Sequence, residues 1–477
     1  MGTAINLNEH NLHELHLDSR RLLFHIPSSA LFEPDELVAG MIAMVRESGE
    51  VALEDLHARF AAAFGSERVQ EAINELQQLD VLSGTAVAYA NPSARVDKIP
   101  LNTVVLNINT GCNLSCTYCY KEDLSTPANG QKMNFEVAAA SIDMLLRDAA
   151  DQTRYNVVFF GGEPLTNLPL IKQLISYAEE RVGALGKKVD FSLTTNATLL
   201  NESTIDYLNA HRVGIAVSID GPQAIHDKNR ITVGGQGTYA TVERKTRLLM
   251  SRYNARPIGA RVTLTRGTTD LIAIWDHLFN GLGFAEVGFA PVTAGDIADY
   301  NLEEHELVEV FAQMKALGDR YLAAALENKT IGFSNLHQLL TDLHLGTKKS
   351  LPCGAGYSML AVDKDGDLNL CHRFTGSDLQ TFGNVNEGVD MASIGDFLGQ
   401  RLDREHTGCN TCRIRNLCSG GCYHESYQRY NDPAHPVYHY CDLMRDWVDH
   451  GLKIYAEILA KNPRFFDTYL SPRRPTQ

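Results

Sequence analysis

The chain has 477 residues, enough for about three domains of roughly 150 residues, with a globular balance of 44% apolar and 21% charged residues. Its 43 Lys and Arg against 58 Asp and Glu leave a net charge of −15, which argues against a general binder of nucleic acid or anionic membrane. No apolar run reaches the roughly 18 residues of a membrane span, and the opening MGTAINLNEHNLHEL lacks the regions of a signal peptide, so a cytoplasmic location is expected.

Residues 1–85 read as a small unit with short strands at 13–18, 20–27 and 30–32 followed by three helices, which Gly49 and Gly65 punctuate. Val69, Ile73, Leu76 and Leu79 form a helical apolar stripe that reads as core. Three strands and three helices suggest a winged-helix-like unit, and the acidic helices argue against nucleic-acid binding. Residues 86–100 read as a linker. From 101 to 300 the pattern alternates, with strands expected at 102–110, 155–160, 189–195, 213–220, 258–265 and 286–291. Helical patterns fall between them, at 134–149, 169–183, 202–211 and 241–252. Six β-then-α units predict an α/β fold with a parallel sheet, open or curled into a partial barrel, whose chemistry gathers at the carboxyl ends of its strands. A helical bridge follows over 301–345, then a Gly- and Cys-rich region over 346–445. A polar helix at 442–461 and a Pro/Arg tail end the chain, the last unit being 446–477.

The chain holds ten cysteines, too many for a compartment where stable disulfides are rare unless they ligate metals. Cys112, Cys116 and Cys119 follow the first predicted strand with C-x3-C-x2-C spacing. Three thiolates on one short loop suit three irons of a [4Fe–4S] cubane and leave the fourth iron open, whereas a zinc site needs a further Cys or His nearby.

Here the chain resembles the radical S-adenosylmethionine (radical SAM) superfamily, over residues 101 to about 445. The resemblance implies a partial (β/α)6 barrel in which the open iron chelates the amine and carboxylate of SAM. An electron from the cluster then yields a 5′-deoxyadenosyl radical that abstracts hydrogen from a substrate. Tyr118 matches an aromatic expected near the adenine, and packing beneath the loop is its blander role. Gly161, Gly162, Glu163 and Pro164 match the family's SAM-amine motif; glycines let the backbone approach a ligand, and the carboxylate suits an ammonium. Thr195 and Asn196, then Ser218 and Asp220, resemble stretches lining the SAM ribose and carboxylate, with turn or cap chemistry as the alternative. Arg230 is a candidate partner of the carboxylate.

The other seven cysteines are Cys353, Cys371, Cys409, Cys412, Cys418, Cys422 and Cys441. The turn residues 363–367, with Gly366, predict a hairpin that brings Cys353 and Cys371 together. Zinc is the ordinary alternative for C-x2-C pairs. The pattern resembles the SPASM domain, which implies two auxiliary [4Fe–4S] clusters and three in all. By that resemblance Cys409, Cys412, Cys418 and Cys441 fill one cluster, and Cys353, Cys371 and Cys422 hold the other, one cysteine short. His372, an acidic side chain, water or a substrate thiolate are the open choices for its fourth ligand; a substrate thiol bound there would be deprotonated by the metal, and that cluster would accept an electron.

A winged-helix-like unit joined to such an enzyme resembles the peptide-recognition element of ribosomal peptide maturases, which adds a leader peptide to a sheet edge. The stretches at 21–33 and 116–124 look most like the enzymes that mature quinohemoprotein amine dehydrogenase. This implies a small Cys-containing protein or peptide substrate and thioethers from Cys sulfur to the methylene carbons of Asp or Glu. It also implies an electron donor such as flavodoxin or ferredoxin. A maturase of another peptide, with thioether or carbon–carbon crosslinks, and a formylglycine-forming enzyme are the alternatives. The N-terminal unit and the cysteine count argue against the formylglycine version. A non-enzymatic metal-binding protein is the remaining rival.

Overall fold

The computed structural model describes residues 4–84, 96–120, 130–293 and 299–470. The expected linker over 86–95, the last four residues of the 116–124 stretch and the tail from 471 lie outside the described residues.

The centre of the molecule is an eight-stranded sheet. Its strands are β1 (Thr103–Asn107), β2 (Arg154–Phe160), β3 (Lys188–Thr195), β4 (Gly214–Ser218), β5 (Gly259–Leu264), β6 (Glu286–Pro291), β7 (Met359–Val362) and β8 (Leu368–Asn369). The spatial order is β6-β5-β4-β3-β2-β1-β7-β8, parallel throughout except for the β7–β8 hairpin. Helices including Phe135–Asp148, Leu168–Gly183, Glu202–Ala210 and Tyr239–Arg252 connect the first strands, so β1 to β6 form the expected partial barrel. Burial alternates along β2 and β4, whose Val157, Phe159, Ile215 and Val217 join the shell of helices. The intervening residues face the lumen.

The seventh parallel strand is a departure from the sequence reading, which ended the sheet at six. Met359 pairs with Thr103 and Val362 with Leu106, so the Cys-rich region is hydrogen-bonded to the barrel's first strand. The turn at Gly366 (φ +91°) closes the β7–β8 hairpin between Cys353 and Cys371.

The N-terminal region contains two sheets. Ala4–Leu7 lies between Glu50–Ala52 and Leu82–Ser83, and helices Glu36–Ser48, Leu53–Phe64 and Ser66–Gln78 pack with it around Ile5, Met41, Ile42 and Leu56. The sequence reading missed this sheet, since strands of two to four residues are too short to show a period. The expected strands appear as a second sheet of Leu12–Leu17, Arg20–His25 and Ala30–Phe32.

The C-terminal helix, Cys441–Lys461, is polar on one side only. Its Trp447, Val448, Leu452 and Ile458 are buried, and it packs on Glu304–Leu326 and Ser334–His344. Trp447 meets Phe333 edge-to-face at 6.0 Å. Trp447→Ala is expected to destabilise the protein by about 3–5 kcal/mol, read from chemical denaturation; a loss below about 1 kcal/mol would show that the helix is peripheral to the fold.

Candidate active site

The three closely spaced cysteines lie on the loop after β1. Its first residues, 109–112, press directly on the turn after β2. Gly162 N donates to Asn109 O (2.7 Å) and Glu163 N to Gly111 O (3.1 Å). A Cβ on Gly161 (φ +148°) would stand 2.3 Å from Asn109 O, and one on Gly162 would stand 2.0 Å from Gly111 O. The glycines therefore admit the backbone of the cysteine loop, a use different from the ligand approach expected from sequence. The far side of the loop is pinned by Ser115 N to Ile231 O (2.8 Å) and Thr117 N to Asn229 O (2.9 Å). Two donors reach the first sulfur: Leu114 N at 3.4 Å and Asn196 Nδ2 at 3.7 Å from Cys112 Sγ.

Glu163 also has a role that the motif alone does not reveal. It is buried, with Oε1 accepting from Thr195 Oγ1 (2.7 Å) and Leu165 N (3.1 Å), and Oε2 from Asn196 N (2.7 Å). The carboxylate thus ties the end of β2 to the end of β3. Burial pushes its pKa up to about 7 despite the three donors. Burial likewise pushes the Cys112 thiol up to about 12 and the Cys116 thiol up to about 11. Such thiols keep their protons until a cation replaces them.

Asp220 and Arg230 form a second buried unit. Arg230 Nε donates to Asp220 Oδ2 (2.9 Å), Tyr118 OH donates to the same oxygen (2.7 Å), and Thr263 N donates to Oδ1 (3.0 Å). The Arg230 guanidinium lies 5.5 Å from the Tyr118 ring centroid. Asp220 and Pro164 stand behind the wall of the site, whereas Tyr118, Gly161, Gly162, Glu163, Thr195, Asn196, Ser218 and Arg230 line it with Cys112, Cys116 and Cys119. The wall encloses a cavity of about 1440 Å³ that runs down the barrel lumen.

The remaining cysteines gather in two places. Cys409, Cys412, Cys418 and Cys441 surround a cavity of about 90 Å³ closed by Ile414, Val437 and Met444. Cys371 lies within electrostatic reach of both Cys353 and Cys422. Arg401 fixes the glycine turn between Cys418 and Cys422, donating to Ser419 O (3.1 Å) and Gly421 O (2.9 Å). Among the described residues no three His, Cys, Asp or Glu side chains converge on one point that would hold a single metal ion.

Two residues to which the sequence reading gave no role connect the cysteine regions. Tyr120, directly after Cys119, is within electrostatic reach of Cys119, Cys371 and Cys422, and the Arg373 guanidinium sits 4.7 Å from its ring centroid. Adjacency to the third cysteine was a usable signal for Tyr120; nothing local marked Arg373. His372, beside Cys371, packs against Phe160 in a tilted contact with centroids 4.0 Å apart and lines the main cavity with Arg373.

Residues 106–270 match the family described as the Radical SAM superfamily. Over this stretch the chain has the radical SAM fold. The chain is 25% identical over 368 residues to the cysteine-type anaerobic sulfatase-maturating enzyme of Clostridium perfringens, covering 74% of this chain and 96% of that protein. It is 23% identical over 460 residues to the radical SAM cyclopropyl synthase TigE of Paramaledivibacter caminithermalis, covering 90% and 91%. The solved structure of native anSMEcpe with bound AdoMet shares the fold at a TM-score of 0.64 and 22% identity, over 78% of this chain and 99% of that one. No described helix is long and apolar enough to cross a membrane.

Two outcomes test the loop geometry. Gly162→Ala is expected to displace the cysteine loop and lower iron content by about four atoms per chain, measured on purified, reconstituted protein; an unchanged iron count would refute the packing argument. The second test is the pH dependence of stability without SAM. Because the folded pKa of Glu163 is raised, its contribution is present below its ordinary value of 4.5 and lost as pH rises through about 7. Wild type should lose on the order of 3 kcal/mol across that window relative to Glu163→Gln, by denaturation at each pH; parallel curves would show that Glu163 does not titrate there.

Proposed function

We propose that the chain is a radical SAM maturase of a peptide or protein. Its product is an intrapeptide thioether between a Cys sulfur and the methylene carbon of an Asp or Glu, as in the small subunit of quinohemoprotein amine dehydrogenase. One observation carries the reading: a three-cysteine loop opens onto a cavity of about 1440 Å³ whose wall includes His372 and Arg373, neighbours of a cysteine in the second group. A site that opens onto residues beside both cysteine regions suits an oxidation that begins at one cluster and delivers an electron to another.

Cys112, Cys116 and Cys119 would hold the first cluster, Cys353, Cys371 and Cys422 the second, and Cys409, Cys412, Cys418 and Cys441 the third. When bound, the first cluster and SAM supply the 5′-deoxyadenosyl radical that takes a hydrogen atom from the substrate. The protein's own contribution is placement. The Gly161 and Gly162 turn sets the loop, Glu163 locks Thr195 and Asn196, and Asp220 orients Tyr118 and Arg230 at the wall.

A second reading is formylglycine formation, favoured by relatives named as cysteine-type and serine-type sulfatase-maturating enzymes. Mass spectrometry separates the two after incubation of the small Cys-containing chain with SAM and reductant. Loss of a pair of hydrogens per link with the Cys thiol no longer alkylable supports the thioether; loss of the sulfur, or loss of a hydrogen pair with the thiol still free, supports formylglycine made from Cys or from Ser. Wild type should carry about twelve irons per chain, and the triple variant Cys112→Ala, Cys116→Ala, Cys119→Ala about eight with no 5′-deoxyadenosine. Persistent 5′-deoxyadenosine from that variant would overturn the assignment.

A further inference from the structure

The barrel lumen contains a cation that the site described above does not use. Arg261 is the mid-strand residue of β5, flanked by Ala260 and Val262, which are buried in the opposite direction. Its own side chain points into the cavity and is exposed there. Its strand partners are Ser218 on one side and Gly288 on the other, both too small to cover it. The guanidinium leans over Gly288, where a Cβ would stand 3.3 Å from Nη1.

Most of the other arginines lining this cavity are already engaged. Arg230 is held by Asp220, Arg154 and Arg256 share Asp190, and Arg373 donates to Thr293. Arg212 precedes β4 and stands at the amino-terminal mouth. Among the described residues no side chain hydrogen-bonds or ion-pairs with Arg261. It lies three strand steps before Leu264 at the carboxyl end of β5, about 10 Å below the rim where the cysteine loop lies. A guanidinium flanked by Ser218 and Gly288 presents to the lumen a planar fork of donors that matches a carboxylate.

We infer that Arg261 is a specificity-determining residue that binds a carboxylate entering the lumen, and that this carboxylate is the acidic side chain of the substrate peptide. The inference rests on the proposed maturase function. It supplies what that function needs, a fixed charge that holds an Asp or Glu from its far end and so presents the adjacent methylene toward the rim. The same chemistry could be satisfied by the carboxylate of SAM, so the test carries both ligands.

The probes are a capped pentapeptide containing one Cys and one Asp, its Asn twin, and SAM. Each is titrated into the full-length reconstituted protein by calorimetry or NMR, with Arg261→Gln and Arg261→Lys alongside wild type. Wild type should prefer the Asp peptide to the Asn peptide by at least about tenfold, the value of one charge-assisted contact. Arg261→Gln should erase that preference without changing SAM affinity, and Arg261→Lys should restore part of it. Equal binding of the two peptides by wild type overturns the inference. A fall in SAM affinity with the peptide preference intact transfers the carboxylate to SAM and overturns it as well. Because the readout is binding, an enzyme that discriminates the peptides yet makes no crosslink would refute the proposed reaction and leave the role of Arg261 standing.

Discussion

The site depends on one close contact, the backbone of residues 109–112 resting on Gly161 and Gly162 with no room for a side chain between them. Pairing of β1 with β2 brings Asn107 beside Phe160, so the two chains leave the sheet side by side and reach this contact directly. From it the hydrogen bonds close a circuit. Gly111 O accepts from Glu163 N, Glu163 accepts from Asn196 N, and Asn196 returns through Nδ2 to the sulfur of Cys112. Each strand end is thereby tied to the others by the chain's own hydrogen bonds. Preorganisation of this kind matters where reacting atoms must be held within a fraction of an ångström.

The circuit explains why some of the site was legible in the sequence and some was not. The cysteine spacing, the six β-then-α units and the Gly-Gly-Glu-Pro turn are local patterns, and local patterns survive in a string of letters. The task of Glu163 is not local: its partners Thr195 and Asn196 lie one strand further on, and only the β2–β3 register brings them to the carboxylate. Asp220 is similar. As a residue at a strand end it read as a cofactor contact, yet its oxygens are engaged by Tyr118, Arg230 and Thr263 behind the wall. β7 was missed for a related reason, since four residues bearing Met359, Leu360, Ala361 and Val362 show no period, and their parallel partner lies more than 250 positions away. The polarity of the last helix was misread because its charged residues are interspersed with a buried stripe that has meaning only against its neighbours.

The second sheet of the N-terminal region has a further consequence. In its central strand Leu22 and Phe24 face the main core, with Leu15 and Ile26, whereas Leu23 faces the N-terminal core, with Leu12. One sheet therefore belongs to two cores, as the period-2 alternation of a strand allows. Polar contacts reinforce the same seam: His13 and Arg413 share Asp449, Arg20 pairs with Glu457, and Asn416 donates to Ile26 O. The unit suggested by sequence to recognise a peptide is thus built into the catalytic body and into the cysteine-rich region beside it. Removing residues 1–85 would strip Leu15, Leu22, Phe24 and Ile26 from the main core, at roughly 1.5–3 kcal/mol for each large side chain. Loss of peptide binding after such a truncation would then report unfolding as readily as recognition. A polar substitution at the exposed Ala30, on the outer strand of this sheet, leaves those four side chains and the core-packed Leu31 and Phe32 in place, and so separates docking of a peptide strand from the integrity of the core.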